Sequence, residues 1–386
     1  MTTTQKELLD ALAVSLFGDA KATTLSDEAR EEALAQAVYP FVSEDETAMQ
    51  FITNNLRVAW QQQELTETMR DGGIPFVVLK GLAAAMYYPE PVTRTLGDVD
   101  IIVAPQDFAN TCSVLLAAGY TTTDPLEGEA RHVHFYKNDV LVELHRRYAL
   151  LNSQTAIDLL DSWIFEAIPQ AVIATVDEWN FPILPEPLNG LTLLAHISQH
   201  LEEGLGLRQL VDWVIYVSRE LPDENWLEFQ NLTDQLGLTR LAKIAARFGQ
   251  LYLGLPEQNH RWCMDVDEAL CEAMAEYAFE CGNFGQKAGT SNTVAMVLSH
   301  GHGVKGFFRN LQHRGEANWK AYQKHHVLKP FCWIYQALRY ARFGLRRDNA
   351  LVNLKKDYAS GKKRNDLMKA LGATRLVERE EKGKKN

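Results

Sequence analysis

The run DVDIIV, residues 98–103, constrains the fold more than any other stretch of the chain. Its three last residues are apolar and β-branched, as in a buried strand. Asp98 and Asp100 stand at its head, one residue apart. Alternate side chains of an extended chain share a face, so both carboxylates point the same way. At about 4 Å and an effective dielectric of about 20, two like charges repel by roughly 4 kcal/mol. A fold containing this strand has to answer that repulsion.

The flanking sequence places the strand in a small α/β unit. The segment from Ser43 reads as a long amphipathic helix that Ser43 caps and Gly72 and Gly73 end. IPFVVLKG is a short buried strand closing on Gly81, and LAAAMYY is a helical turn stopped by Pro89 and Pro91. After DVDIIV, the stretch PQDFANTCSVLLAAGY reads as a helix. HVHFYK and VLVELHRR then alternate around Asn138-Asp139, a tight hairpin signal. From Pro187 onward the periodicity is helical through about five segments. The expected class is α+β: a small mixed sheet with flanking helices, then a mainly helical domain. The expected divisions are N-terminal helices over 1–42, a small α/β domain over 43–186, a helical domain over 187–300 and a basic helical region over 301–386.

Charge is distributed unevenly. The net charge is −11, yet residues 305–386 hold 21 basic and 7 acidic residues, a balance of +14 that leaves −25 on the rest. A basic region of this kind meets a polyanion, a membrane surface or the acidic body of its own chain, or is a set of solvated helix faces. PFCWIYQALRYARFGLRR is an amphipathic helix inside it, with Phe331, Trp333, Ile334 and Leu338 on the apolar side. Trp319, Trp333, Tyr335 and Tyr340 would let that region stack on nucleic-acid bases. No run of eighteen apolar residues appears, so no transmembrane helix is expected. The five cysteines are dispersed without a C-x-x-C pair, which fits a reducing cytoplasm.

A third acid, Glu143, lies in VLVELH on the face opposite Val140, Val142 and Leu144. Carboxylates from two strands converging with a glycine turn suit Mg²⁺ and phosphate oxygens. Cations bound there would remove the repulsion between Asp98 and Asp100.

The stretch LKGLAAAMYYPEPVTRTLGDVDIIV, followed by HVHF and VELHRR, resembles the polymerase-β-type nucleotidyltransferase superfamily. More narrowly, it is similar to the bacterial "uncharacterised nucleotidyltransferase" branch, over roughly residues 70 to 215. The resemblance implies NMP transfer from an NTP, ATP among them, to a hydroxyl or phosphate acceptor, with two Mg²⁺ (or Mn²⁺) ions. It places the metal aspartates on Asp98 and Asp100, the third carboxylate and base on Glu143, and the phosphate turn on Gly81. It favours a small molecule or sugar as acceptor. A toxin-like transferase acting on tRNA or protein, and a degenerate domain that binds nucleotide or partner without chemistry, are the rival readings. The superfamily has Gly-Ser or Gly-Gly at the turn, whereas this chain has Lys80-Gly81-Leu82. Lys80 or backbone N–H groups would then replace the serine contact to the triphosphate.

Other candidates have both a structural and a functional reading. Lys80 is a surface lysine or a clamp on the β/γ phosphates. Arg94 either holds an aspartate of the pair or grips the leaving pyrophosphate, for which a guanidinium fork is suited. His145 shares the Glu143 face and either orients a carboxylate or acceptor or makes a structural hydrogen bond. His132 and His134 share one face and are structural or an accessory site. His196 and His200 have zinc-compatible spacing but no H-E-x-x-H glutamate and no evident third ligand. Arg208 and Asp212 form an i,i+4 salt bridge or, with His200, line the substrate cleft as the resembling branch implies.

Overall fold

The computed structural model describes residues 1–18, 24–128, 130–148 and 151–283, together with short stretches between 308 and 344 and residues 366–372. Two compact units divide the chain: Met1–Gln286 with Leu371–Ala373, and Lys287–Ala370 with Thr374–Asn386.

The first unit opens with helices α1 (Thr3–Phe17), α2 (Asp27–Ala35) and the single turn α3 (Tyr39–Val42), then the long α4 (Glu46–Asp71). Strand β1 (Phe76–Leu79) and the short α5 (Gly81–Ala85) follow, then β2 (Asp98–Val103), α6 (Phe108–Ala117), β3 (His132–Lys137) and β4 (Val140–His145). Helix α7 (Gln154–Ala167) leads to the hairpin β5 (Val172–Val176) and β6 (Trp179–Ile183). Five helices complete the unit: α8 (Leu188–Glu203), α9 (Leu207–Glu220), α10 (Asp223–Leu236), α11 (Thr239–Tyr252) and α12 (Glu268–Cys281). The fold is α+β, as the sequence pattern predicts.

The main sheet has the order β1-β2-β4-β3. β2 runs antiparallel to β1 and parallel to β4, and β3 closes an antiparallel hairpin on β4. Asn138 and Asp139 turn that hairpin with φ of 51° and 58°, as a two-residue primed turn requires. One face is apolar throughout. Val99, Ile101 and Val103 of β2 pack with Val133, Phe135, Val142 and Leu144 beneath α4, α6 and the β5–β6 hairpin. Alternation then puts Asp98, Asp100, Glu143 and His145 together on the opposite face.

That second face is roofed by the helical bundle. Tyr148 donates from its hydroxyl to Thr192 O on α8 at 2.8 Å, and Asn189 Nδ2 donates to the Tyr87 hydroxyl at 2.7 Å. Helices α8 and α9 approach closely because residue 190 is glycine. A Cβ there would come within 1.8 Å of the Tyr216 ring.

Helix α4 begins two residues later than the sequence suggests. Asp45, not Ser43, is its N-cap, accepting from Ala48 N–H at 3.0 Å. A carboxylate at this point gains from the helix dipole as well as the hydrogen bond, which a serine hydroxyl does not. Tyr39 donates to the same carboxylate at 2.5 Å, and Arg30 pairs with it. Ser43 instead accepts from Asp45 N–H at 3.4 Å, outside the helix.

In the second unit the amphipathic segment forms helix α13 (Cys332–Gly344). Phe331, Trp333, Ile334 and Leu338 are exposed, while Cys332 and Gln336 are buried. Trp319 stacks on Tyr335 with ring centroids 5.1 Å apart. The Tyr340 side chain and most of the basic region after Gly344 lie outside the described residues. No described helix is long and apolar enough to cross a membrane.

The cap on α4 yields a measurable expectation. The Tyr39 hydrogen bond, the Ala48 N–H and the Arg30 charge hold the Asp45 carboxyl below its ordinary value against a small opposing effect of burial. An acid lowered in the fold stabilises it above the unfolded pKa and loses that contribution as pH falls through the carboxylate range. Asp45→Ala should cost about 1 kcal/mol in urea denaturation at neutral pH. The difference from wild type should shrink toward pH 3.

Candidate active site

The polar face of the sheet and the roof of α8 and α9 enclose a cavity of about 330 Å³, at the small end of ligand pockets. Its lining combines carboxylates (Asp98, Asp100, Glu143) with cations from four different segments (Lys80, Arg94, Arg131, Arg208). His132, His196, Gln199 and His200 also line it, with Gly81, Leu96 and Gly97.

Register brings the acids together. Asp100 lies opposite Glu143 in the parallel β2–β4 pairing and opposite Leu79 on β1. The chain leaves β1 through Lys80, whose φ of 53° is unusual for a residue with a side chain. Gly81 follows at φ 40° and opens α5. This turn sends the Lys80 ammonium back over the sheet to Asp100 Oδ1 at 2.8 Å. His145 Nε2 lies 2.8 Å from the same oxygen and 3.4 Å from Glu143 Oε2. Lys80 is thus a partly buried partner of Asp100, not a surface lysine.

The three carboxylates experience different fields. Burial raises the Asp98 carboxyl first, the Asp100 charge adds to it and Lys80 opposes, leaving it pushed up to about 6. Burial works on Asp100 too, but Lys80 and the His145 hydrogen bond outweigh it and hold Asp100 well below the usual range. Glu143 is also lowered, burial being offset chiefly by the His145 hydrogen bond. His145 is raised because its bonds to Asp100 and Glu143 exceed the effect of burial. Asp98 is therefore the acid whose charge lacks a local cationic contact, and it lines the open cavity.

Arg94 does not pair with Asp98 or Asp100. It donates from Nε and Nη2 to both oxygens of Asp212 on α9, each at 2.7 Å, and both residues are 3% exposed. The Tyr88 hydroxyl donates to the same carboxylate. Arg208 donates from Nη1 to Thr95 O at 2.8 Å. The fork on Asp212 thus comes from a residue 118 positions away, where helical spacing offers Arg208. Both contacts tie the loop before β2 to α9.

His196 and His200 do meet, with Nε2 atoms 2.7 Å apart. Burial, then the charges of Lys80 and Arg208, lower His200 to about 3. Burial and His200 likewise lower His196 well below its ordinary value. Two neutral imidazoles sharing one proton in a hydrogen bond leave no convergent pair of lone pairs, and no zinc group of three or more ligands forms around them among the described residues.

Two polar lining residues, Arg131 and Gln199, escape sequence reasoning. Arg131 immediately precedes HVHF and bonds Gln199 Oε1 from Nη1. Gln199 follows His196 by three positions, on the same helix face, which was the available signal. His196 carried the zinc spacing, and only the fold shows it as part of the cavity wall.

The donor set suits a hard divalent cation. Asp98, Asp100 and Glu143 offer oxygens on one face, and donor atoms of Asp100, Glu143 and His145 lie within 4.8 Å of one another. Burial first, and then the neighbouring Asp100 charge, elevates the Asp98 carboxyl, and a bound cation would favour its ionised form.

No curated protein matches this sequence. The family whose description is "Uncharacterised nucleotidyltransferase" matches residues 24–254, a span that contains every residue lining the cavity. The chain belongs to that nucleotidyltransferase family.

Proposed function

We propose that the chain moves a nucleoside monophosphate from an NTP to a hydroxyl or phosphate acceptor, with pyrophosphate as the leaving group. The observation that carries this reading is the meeting of Asp98, Asp100 and Glu143, from two paired strands, inside a cavity ringed by Lys80, Arg94, Arg131 and Arg208. A polyphosphate needs that cationic ring, and the carboxylates need a divalent cation.

Asp98, Asp100 and Glu143 would hold Mg²⁺ or Mn²⁺, two ions in the full site. Bound there, the cations supply positive charge to the α-phosphate and to the departing pyrophosphate. Glu143, ionised at neutral pH, takes the proton of the acceptor hydroxyl. The acceptor oxygen bonds to the α-phosphorus as the bond to the bridging oxygen of pyrophosphate breaks. Lys80 balances Asp100 and adds charge beside the incoming triphosphate. The Gly81 turn leaves room for phosphate next to the strand, since a Cβ there would have nothing closer than 3.9 Å.

Arg94 and Asp212 serve this reading by position. Their pair fixes residues 94–97, the lead into Asp98, against α9. His200, Arg208 and Gln199 also line the cavity and are the proposed contacts for base or acceptor. The cavity volume suits a small acceptor moiety better than a folded macromolecule reaching inward. His145 orients Asp100 and Glu143 through Nε2.

Incubation with each α-labelled NTP, Mg²⁺ or Mn²⁺ and cell extract should label one acceptor. Asp98→Asn and Asp100→Asn should each lower transfer by about 10²-fold or more, roughly 3 kcal/mol of transition-state stabilisation. Absence of transfer with all four NTPs, from protein of native fold, would overturn the catalytic reading.

The buried ion pair gives a separate expectation. Arg94→Met strands the Asp212 charge and should cost about 3–5 kcal/mol in urea denaturation. The double variant Arg94→Met/Asp212→Leu should regain most of that stability. Transfer should stay low in the double variant, because the segment before Asp98 is no longer pinned.

A further inference from the structure

Beside the aspartate pair, on the outer strand of the same sheet face, lies a second cluster of a different chemical kind. His132 and His134 project from β3, and their cross-strand partners on β4 are His145 and Glu143. The His132 and His134 rings stand 4.6 Å apart at 70°. His134 Nε2 is 3.4 Å from Glu143 Oε1, and His132 Nδ1 is 3.8 Å from Glu143 Oε2. One donor atom from each of the three lies within 4.8 Å of the other two.

Two further observations separate this cluster from a chance meeting of polar side chains. Asp124 Oδ2 lies 2.6 Å from His134 Nδ1 and also accepts the His134 backbone N–H at 2.9 Å. A carboxylate at Nδ1 holds the proton there, so Nε2 presents its lone pair on the Glu143 side. Metal-ligating histidines are oriented by this kind of outer carboxylate. In addition, His132 Nδ1 is buried and has no hydrogen-bond partner. A buried ring nitrogen left in that state costs free energy that a ligand would restore.

We propose that His132, His134 and Glu143 bind a divalent transition-metal cation of the Zn²⁺ type, with Asp124 holding the His134 ring. Two imidazoles and one carboxylate are a set that zinc and its neighbours accept and that Mg²⁺, which prefers all-oxygen surroundings, does not. Ligand atoms about 2.0–2.1 Å from a tetrahedral zinc are roughly 3.4 Å apart, close to the two separations above. The side chains of His132, His134 and Glu143 are 21%, 34% and 16% exposed, so a fourth position is open to water or to an acceptor group. Glu143 belongs to both cation environments, and a metal held by the histidines engages the carboxylate that the aspartate pair also uses. The inference stands independently of nucleotidyl transfer, because it concerns binding alone.

Co²⁺ is the probe, since its visible absorption reports nitrogen ligation and low coordination number. The full-length protein, in millimolar Mg²⁺, is titrated with Co²⁺ and followed by absorption and calorimetry. One equivalent should bind, and excess Mg²⁺ should not displace it. Asp98→Asn/Asp100→Asn should retain that equivalent. His132→Gln and His134→Gln should each abolish the absorption band, and Asp124→Asn should weaken binding by about 10- to 100-fold. Urea midpoints of the metal-free variants separate loss of ligand from loss of fold, and a variant that does not fold is replaced by Glu143→Gln, which should also remove the band. Absence of Co²⁺ binding, displacement by Mg²⁺, or loss in Asp98→Asn/Asp100→Asn with retention in the histidine variants would overturn the proposal.

Discussion

Burying carboxylates side by side on a strand is the physical problem around which this fold is arranged. Asp100 is solved internally. Lys80 and His145 approach the same oxygen at 2.8 Å, and their combined effect exceeds that of burial. Asp98 is not solved internally, and its carboxyl is driven up to about 6. The protein therefore holds one acid firmly ionised next to one that is sensitive to added positive charge. Such an asymmetry is what a site for an external cation requires, because a pair fully neutralised by its own side chains would have little left to offer.

The sheet topology makes the arrangement possible. Asp100 and Glu143 are 43 residues apart in sequence, and the parallel pairing of β2 with β4 sets them opposite each other. The helix α6 and strand β3 fill the connection and supply, respectively, part of the apolar core and the two histidines at the rim. Strict alternation divides each strand between those tasks. Shifting β4 by one residue would exchange Glu143 for Val142 and place a charge under α4 and α6, so the apolar face enforces the polar one.

The local parts of this were legible in the sequence. Strand β2, the Asn138-Asp139 hairpin, the position of Glu143 opposite its valines, the five helices after Pro187 and the helix at Cys332–Gly344 all follow from patterns within ten or so residues. The nucleotidyltransferase resemblance followed from motif order and is matched by the family assignment. What did not follow were contacts across the fold. Asp212 has Arg208 four residues earlier on its own helix, yet takes a bidentate fork from Arg94, because the loop before β2 lies against α9. The Ser43 expectation failed for a smaller reason: Asp45 competes for the cap with a full charge, a phenol and a guanidinium around it. The Asp124 contact to His134 had no signal at all, since its segment has no regular period.

The turn at Lys80-Gly81 couples a strained backbone to an ion pair. A side-chain-bearing residue at φ 53° and ψ −139° lies in a region that costs about 1–3 kcal/mol. Glycine at this position would avoid the strain, so the lysine side chain has to contribute something that offsets it. Its ammonium on Asp100 does so: burial favours the neutral amine, yet the nearby carboxylates keep it charged. The strain and the ion pair depend on the same backbone geometry, because relaxing φ would swing the ammonium off the sheet face. The charge state of Asp100 and the shape of the turn between β1 and α5 are thereby set by one residue.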